Sequence, residues 1–169
     1  MTHRAAGFKT RCRRVGANIF VALNLPWVVL WAKSREQQIQ RQGRPLTPRE
    51  LDYAISVGVQ RPEKIRVLVV PAIQFPGPGF LHRLSVRWGI DANAVSGLSL
   101  RYGIFLRCDA AEVASALVHE CVHTAQYERL GGFGPFLSRY LTECLTEGYP
   151  SSGLEHEARQ LTARAFPVA

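Results

Sequence analysis

Residues 15–32, VGANIFVALNLPWVVLWA, carry no charge over eighteen consecutive positions. A run of that length has to satisfy its own backbone, so it reads as a helix, either in a bilayer or against a folded domain. A spanning helix needs roughly 17–25 apolar residues, which places this one at the lower edge. Asn18, Asn24 and Pro26 weigh against a span, whereas Trp27 and Trp31 near its end suit a membrane interface. Leu30-Trp31-Ala32-Lys33 makes a poor small-residue cleavage site, which disfavours a cleaved signal. Basic residues flank the run: Arg4, Lys9, Arg11, Arg13 and Arg14 precede it, and Lys33, Arg35, Arg41, Arg44 and Arg49 follow. Such flanks point to a membrane surface at least as much as to nucleic acid. The formal charge is +8, but no basic-aromatic recognition motif accompanies it, and no nucleic-acid partner is expected. The expectation is membrane association through residues 15–32. If the run spans, the basic N-terminus stays in the cytoplasm and the rest lies outside. The alternative is a buried helix or an interfacial segment packed on the domain.

The remaining sequence suits one compact domain. Residues 1–32 form the basic N-terminus and anchor-like helix, 33–46 read as a polar linker, and 47–169 as the domain. Thr47-Pro48-Arg49-Glu50 predicts a capped helix start with a capping box, and that helix should end near Gly58. Residues 65–70, IRVLVV, read as a buried strand, and the proline-rich residues 71–79 as a loop. Residues 98–107, LSLRYGIFLR, predict one strand or a hairpin turning at Gly103. Asp109, with Glu112 three residues on, can cap a helix that Gly131-Gly132 ends. A second helix is expected from Pro135 and a third from Leu154 to before Pro167. The class is therefore α+β: a short sheet, then helices. Cys12, Cys108, Cys121 and Cys144 form no CxxC pair, although a Cys108–Cys144 bridge is conceivable.

Residues 117–130 read LVHECVHTAQYERL. On a helix, His119 and His123 are one turn apart on one face, so two neutral imidazoles can hold one ion. Glu120 is rotated about 100° from His119, beside the ion and outside the ligand positions, where a general base belongs. Zinc is the expected ion, since it takes nitrogen and oxygen ligands and leaves a water position open. A third ligand is required. Arg129 occupies the position of a metzincin's third histidine, and Gln126 replaces its glycine, so that class is excluded. The candidates left are Glu155, His156 and Glu157 in LEHEARQ, where Glu155 and Glu157 project to nearly opposite faces. Glu143 and Glu147 read better as a solvated face, Glu157 also fits a salt bridge to an arginine, and Cys121 reads as core. His156 reads as a surface residue or an outer support. Tyr127, Tyr140 and Tyr149 can each donate to an oxyanion, though packing is the simpler role for all three.

HECVH followed by a helix with LEHEA resembles small bacterial gluzincin-type metallopeptidase domains, over about residues 60 to 165 and most strongly over 117–158. The resemblance implies a zincin-like fold over 47–169, with the sheet packed against the HExxH helix. It also implies a zinc-dependent peptidase in which His119 and His123 are ligands and Glu120 activates the zinc-bound water. In that family a glutamate with alanine three residues later is the third ligand, which maps onto Glu155 and Ala158, with Glu157 as the fallback. The family's acid four residues after the ligand is Arg159 here, a departure that touches the support of a ligating histidine. Two other readings stand beside the peptidase: a non-catalytic metal-binding or membrane-proximal interaction module and, more weakly, a basic nucleic-acid binder.

Overall fold

A computed structural model describes residues 2–73, 95–110 and 113–166, with side chains from Arg14 onward. The fold is α+β. Helix α1 (Thr2–Gln42) leads into β1 (Arg44–Pro45), α2 (Pro48–Ser56) and β2 (Arg66–Val70). The hairpin β3 (Gly97–Leu100) and β4 (Gly103–Arg107) follows, and then α3 (Val113–Leu130), α4 (Phe133–Glu147) and α5 (Gly153–Ala165). The sheet order is β1-β2-β4-β3, with β2 and β4 parallel and the outer pairs antiparallel.

Strand alternation divides the interior in two. From β2 and β4, Val67, Ile104 and Leu106 join a core with Leu117, Val118, Cys121 and Val122 of α3. Phe105 and Leu100 join a second core with Ala32 and Ile39 of α1 and Phe133, Phe136 and Leu137 of α4. The sheet is therefore covered by α3 on one face and α1 on the other. Strand β2 is less enclosed than its composition suggested, since Val69 is exposed.

The expected linker over 33–46 is mostly helix, because α1 runs on to Gln42. Its polar composition misled because buried Glu36 is paired and Ile39 is fully buried on the sheet. The hairpin turns at Arg101-Tyr102, and Gly103 is the first residue of β4. Gly103 answers to a close approach: a Cβ there would lie 3.0 Å from Ile39 Cδ1 and 3.3 Å from Glu36 Cα. Arg101 has φ 62, a left-handed backbone that side chains other than Gly and Asn rarely take. Contacts from both covering helices hold it there. Arg101 donates to both Glu36 oxygens at 2.9 and 3.0 Å, and the Tyr102 amide donates to Glu36 at 3.2 Å. From the other side, the Thr124 hydroxyl donates to the Arg101 carbonyl at 2.7 Å.

The capping box at Thr47 forms as expected, with Thr47 Oγ1 accepting from the Glu50 amide and the Glu50 carboxylate from the Thr47 amide. Helix α4 begins two residues before Pro135, after Gly131 and Gly132 at φ 92 and 100. Glu112 and most of the expected 71–79 loop lie outside the described residues. Cys108 and Cys144 are free thiols, one exposed and one buried, so the conceivable bridge does not form.

Glu36→Ala should lower the unfolding free energy by roughly 1–3 kcal/mol, since it leaves the Tyr102 amide without its partner and frees Arg101. Urea denaturation measures this, and an unchanged midpoint would mean the clamp carries no stability.

Candidate metal centre

Helix α3 carries His119 and His123 toward the first turn of α5. The two Nε2 atoms are 3.2 Å apart. Glu155 faces both, with Oε2 3.3 Å from His119 Nε2 and Oε1 3.2 Å from His123 Nε2. One donor atom from each residue lies within 4.8 Å of the others. Zinc bonds nitrogen at about 2.0–2.1 Å, and a tetrahedron of that size has edges of about 3.3–3.4 Å. The imidazole separation matches such an edge, and two nitrogens with a carboxylate suit the ion's chemistry. These three residues can hold a metal ion.

Glu155 is 1% exposed. It sits three residues after the N-cap Ser152, whose Oγ accepts from the Glu155 amide at 3.3 Å. The helix N-terminus favours a negative charge at that position. The Tyr140 hydroxyl of α4 donates to Glu155 Oε1 at 2.6 Å. Burial opposes the Glu155 charge, but hydrogen bonds to His119, His123 and Tyr140 outweigh it and hold the carboxyl well below its ordinary pKa. Burial and the Glu155 charge raise the Tyr140 pKa, so its hydroxyl keeps its proton to donate.

His123 is oriented from behind. Its Nδ1 meets Gln126 Oε1 at 2.8 Å. Gln126 Nε2 is already engaged, donating to the Leu154 carbonyl at 3.0 Å and to Glu157 Oε2 at 3.1 Å. The Gln126 oxygen must therefore accept, which places a proton on His123 Nδ1 and leaves Nε2 as the atom that could ligate an ion. Glu157 is in turn held by both Arg129 nitrogens, at 2.7 and 2.8 Å. The fallback ligand Glu157 is thus an outer support, paired with an arginine, and Glu155 is the acid that reaches the rings. In the sequence, Gln126 served only to exclude one class. The signal for its role was its spacing, three residues after His123 on the same helix face.

Glu120 is 6% exposed and lies outside the donor triangle. A backbone hydrogen bond from Ser99 steadies its carboxylate, while burial raises its pKa against the lowering effect of the two histidines. Gly97 makes room for it: a Cβ there would stand 2.7 Å from Glu120 Cγ and 2.8 Å from Oε1. Nothing in the sequence flagged Gly97, because the contact joins a strand to a helix more than twenty positions away.

The other candidates fall elsewhere. Glu143 pairs with Arg139 and accepts from the Leu154 amide at the head of α5. Glu147 is exposed, and His156 is exposed and bonded to Gln160. Cys121 is fully buried core. Tyr127 is buried and stacks on Phe136 at 3.7 Å between ring centres. Tyr149 lies near enough to Glu155 and Glu120 to feel both charges. Arg159 brings Nη1 within 3.8 Å of Glu155 Oε2, a cation where the resembled family has an acid.

No protein-family model, no curated protein and no solved structure matches the chain.

Glu155→Ala should abolish metal retention, Glu157→Ala should preserve the stoichiometry, and Gln126→Leu should weaken affinity about 10–100-fold. Metal analysis of the three purified variants, with a competitive chelator titration, reads all three. A pH effect accompanies them. Burial lowers the His123 pKa, but the Glu155 hydrogen bond and the Glu120 and Glu155 charges outweigh it and raise it to about 9. The stabilisation this gives is complete below the unfolded value of about 6.5 and is lost as pH rises through the folded value. Metal-free protein should therefore lose stability from about pH 6.5 to 9 in urea unfolding. Zinc-saturated protein should show no such loss over that interval, because neither the zinc-bound ring nor the unfolded ring holds the proton above about pH 6.5.

Proposed function

We propose that the chain is a zinc-dependent metallopeptidase, with His119, His123 and Glu155 as ligands and Glu120 as general base. The observation that carries this reading is the placement of Glu120. It is a buried carboxylate with a raised pKa, next to two imidazoles yet outside the donor set, in a space that Gly97 leaves open. A structural metal site has no use for an acid held there, whereas hydrolysis needs a proton acceptor. A bound zinc would act as a Lewis acid on the carbonyl and lower the pKa of water. Glu120 takes the proton from the attacking water and delivers it to the departing amine. Tyr140 keeps Glu155 oriented through its hydroxyl.

A peptide substrate is supported by β3, the outer strand of the sheet among the described residues. Its residues Gly97 and Ser99 touch Glu120, so an extended chain adding to that edge would pass beside the base.

One observation favours the second reading, a metal-binding module without turnover: Arg159 stands close to the ligand carboxylate. Activity separates the two. Glu120→Gln should retain zinc and lower kcat on a peptide library by at least about 100-fold. Gly97→Ala should also retain zinc and reduce kcat by displacing Glu120. Zinc content with no cleavage by the wild type would establish the module instead, and full activity in Glu120→Gln would overturn the assignment of the base.

A further inference from the structure

The metal centre does not account for α1. Over residues 14–34 this helix has two apolar sides. Ala17, Val21 and Ala32 are buried toward the domain. On this side Asn18 accepts from Thr142 of α4, and Ala32 shares a core with Phe133, Phe136 and Leu137. The opposite side presents Val15, Ile19, Leu23, Trp27 and Leu30, spaced at three and four residues and each more than half exposed. Leu23 and Trp27 are 73% and 75% exposed, more than scattered surface apolar residues require. At about 1.5 Å per residue the stripe is roughly 22 Å long. Exposed Arg14 bounds one end and exposed Lys33 and Ser34 the other.

We propose that α1 lies in the plane of an anionic membrane surface, with this stripe in the headgroup–acyl boundary and the domain resting on its other side. Two features exclude a span in this packing. Residues 15–32 carry no charge, but their packed side is engaged with α4. That helix carries the Arg139–Glu143 pair and exposed Glu147. Carrying α4 into hydrocarbon would desolvate those charges. Charge also chooses the lipid surface over a second copy of this chain. Two stripes facing each other would bring Arg14 against Arg14 or against Lys33, on molecules of formal charge +8. Anionic headgroups complement these ends, and Trp27 is at home at that depth. The arrangement is independent of zinc. It places the metal centre one helix from the bilayer, since α4 offers Thr142 to α1 and Tyr140 to Glu155.

Flotation with lipid vesicles tests this on the full chain. Wild type should float with vesicles containing phosphatidylglycerol and much less with phosphatidylcholine alone, with a blue shift of tryptophan emission. Leu23→Asp/Trp27→Asp changes only exposed positions and should keep the fold and metal content, but lose at least about tenfold in partitioning. Orientation is read in cell membranes with an impermeant thiol reagent, using Arg14→Cys or Ser34→Cys in a Cys12→Ser/Cys108→Ser background. Labelling of both from one side supports the in-plane helix, and labelling from opposite sides overturns it in favour of a span. No flotation with either vesicle overturns membrane docking. Dimerisation that Leu23→Asp abolishes, without flotation, assigns the stripe to a second copy.

Discussion

Glu155 is a carboxylate with almost no contact with water. A buried charge is expensive unless every part of its surroundings answers it, and here each neighbour does. Glu155 sits in the first turn of α5, where the helix N-terminus favours negative charge, Ser152 caps that turn, Tyr140 donates from α4, and two imidazoles face it from α3. These contacts tie three helices to one group. Removing Glu155 would leave Tyr140 and two histidine nitrogens pointing at an empty space, so the site and the packing of the C-terminal half are one arrangement. A cation at its centre would complete that arrangement, giving the imidazole nitrogens, 3.2 Å apart, a shared partner.

The register of α3 is set from both sides. Gln126 is fixed by α5 and fixes the His123 ring, with Arg129 and Glu157 closing the chain of contacts. On the opposite face Thr124 bonds Ser99 and the carbonyl of Arg101, whose unusual backbone is clamped again by Glu36 of α1. A slip of α3 along the sheet would break both sets at once. Helix α1 therefore reaches the metal centre indirectly, through the hairpin turn that the HExxH helix leans on.

Local signals survived translation into structure. Thr47 and Glu50 cap each other because a capping box is settled within four residues. The histidine pair was legible for the same reason, since helical spacing alone puts two rings on one face. Contacts between distant segments were not. Gly97 and Glu120 are far apart in sequence, and glycine in a strand carries no mark of the carboxylate it accommodates. The sequence separated Glu155 from Glu157 by face but not by identity. The choice turns on Arg129 claiming Glu157 across a helix pair. Gly103 looked like a turn residue because glycine usually is one. The turn moved to Arg101 because Glu36 and Thr124 stabilise a backbone that arginine would otherwise avoid.

The same limit explains α1. Its apolar run has no helical periodicity in composition, because both sides are apolar. What distinguishes the sides is the use made of the few polar atoms. Asn18 is tied to Thr142, and Asn24 folds back on the Phe20 carbonyl. Neither has to be satisfied by lipid, and the residues that weakened the reading of a span are compatible with a helix held against the domain. Beyond Ala32 the composition turns polar and suggests a linker, but the helix continues because Ile39 and the paired Glu36 have a sheet to bury against. At Glu36, a buried charge paired with Arg101, charge on the helix marks where it is tied to the hairpin turn rather than where it meets water.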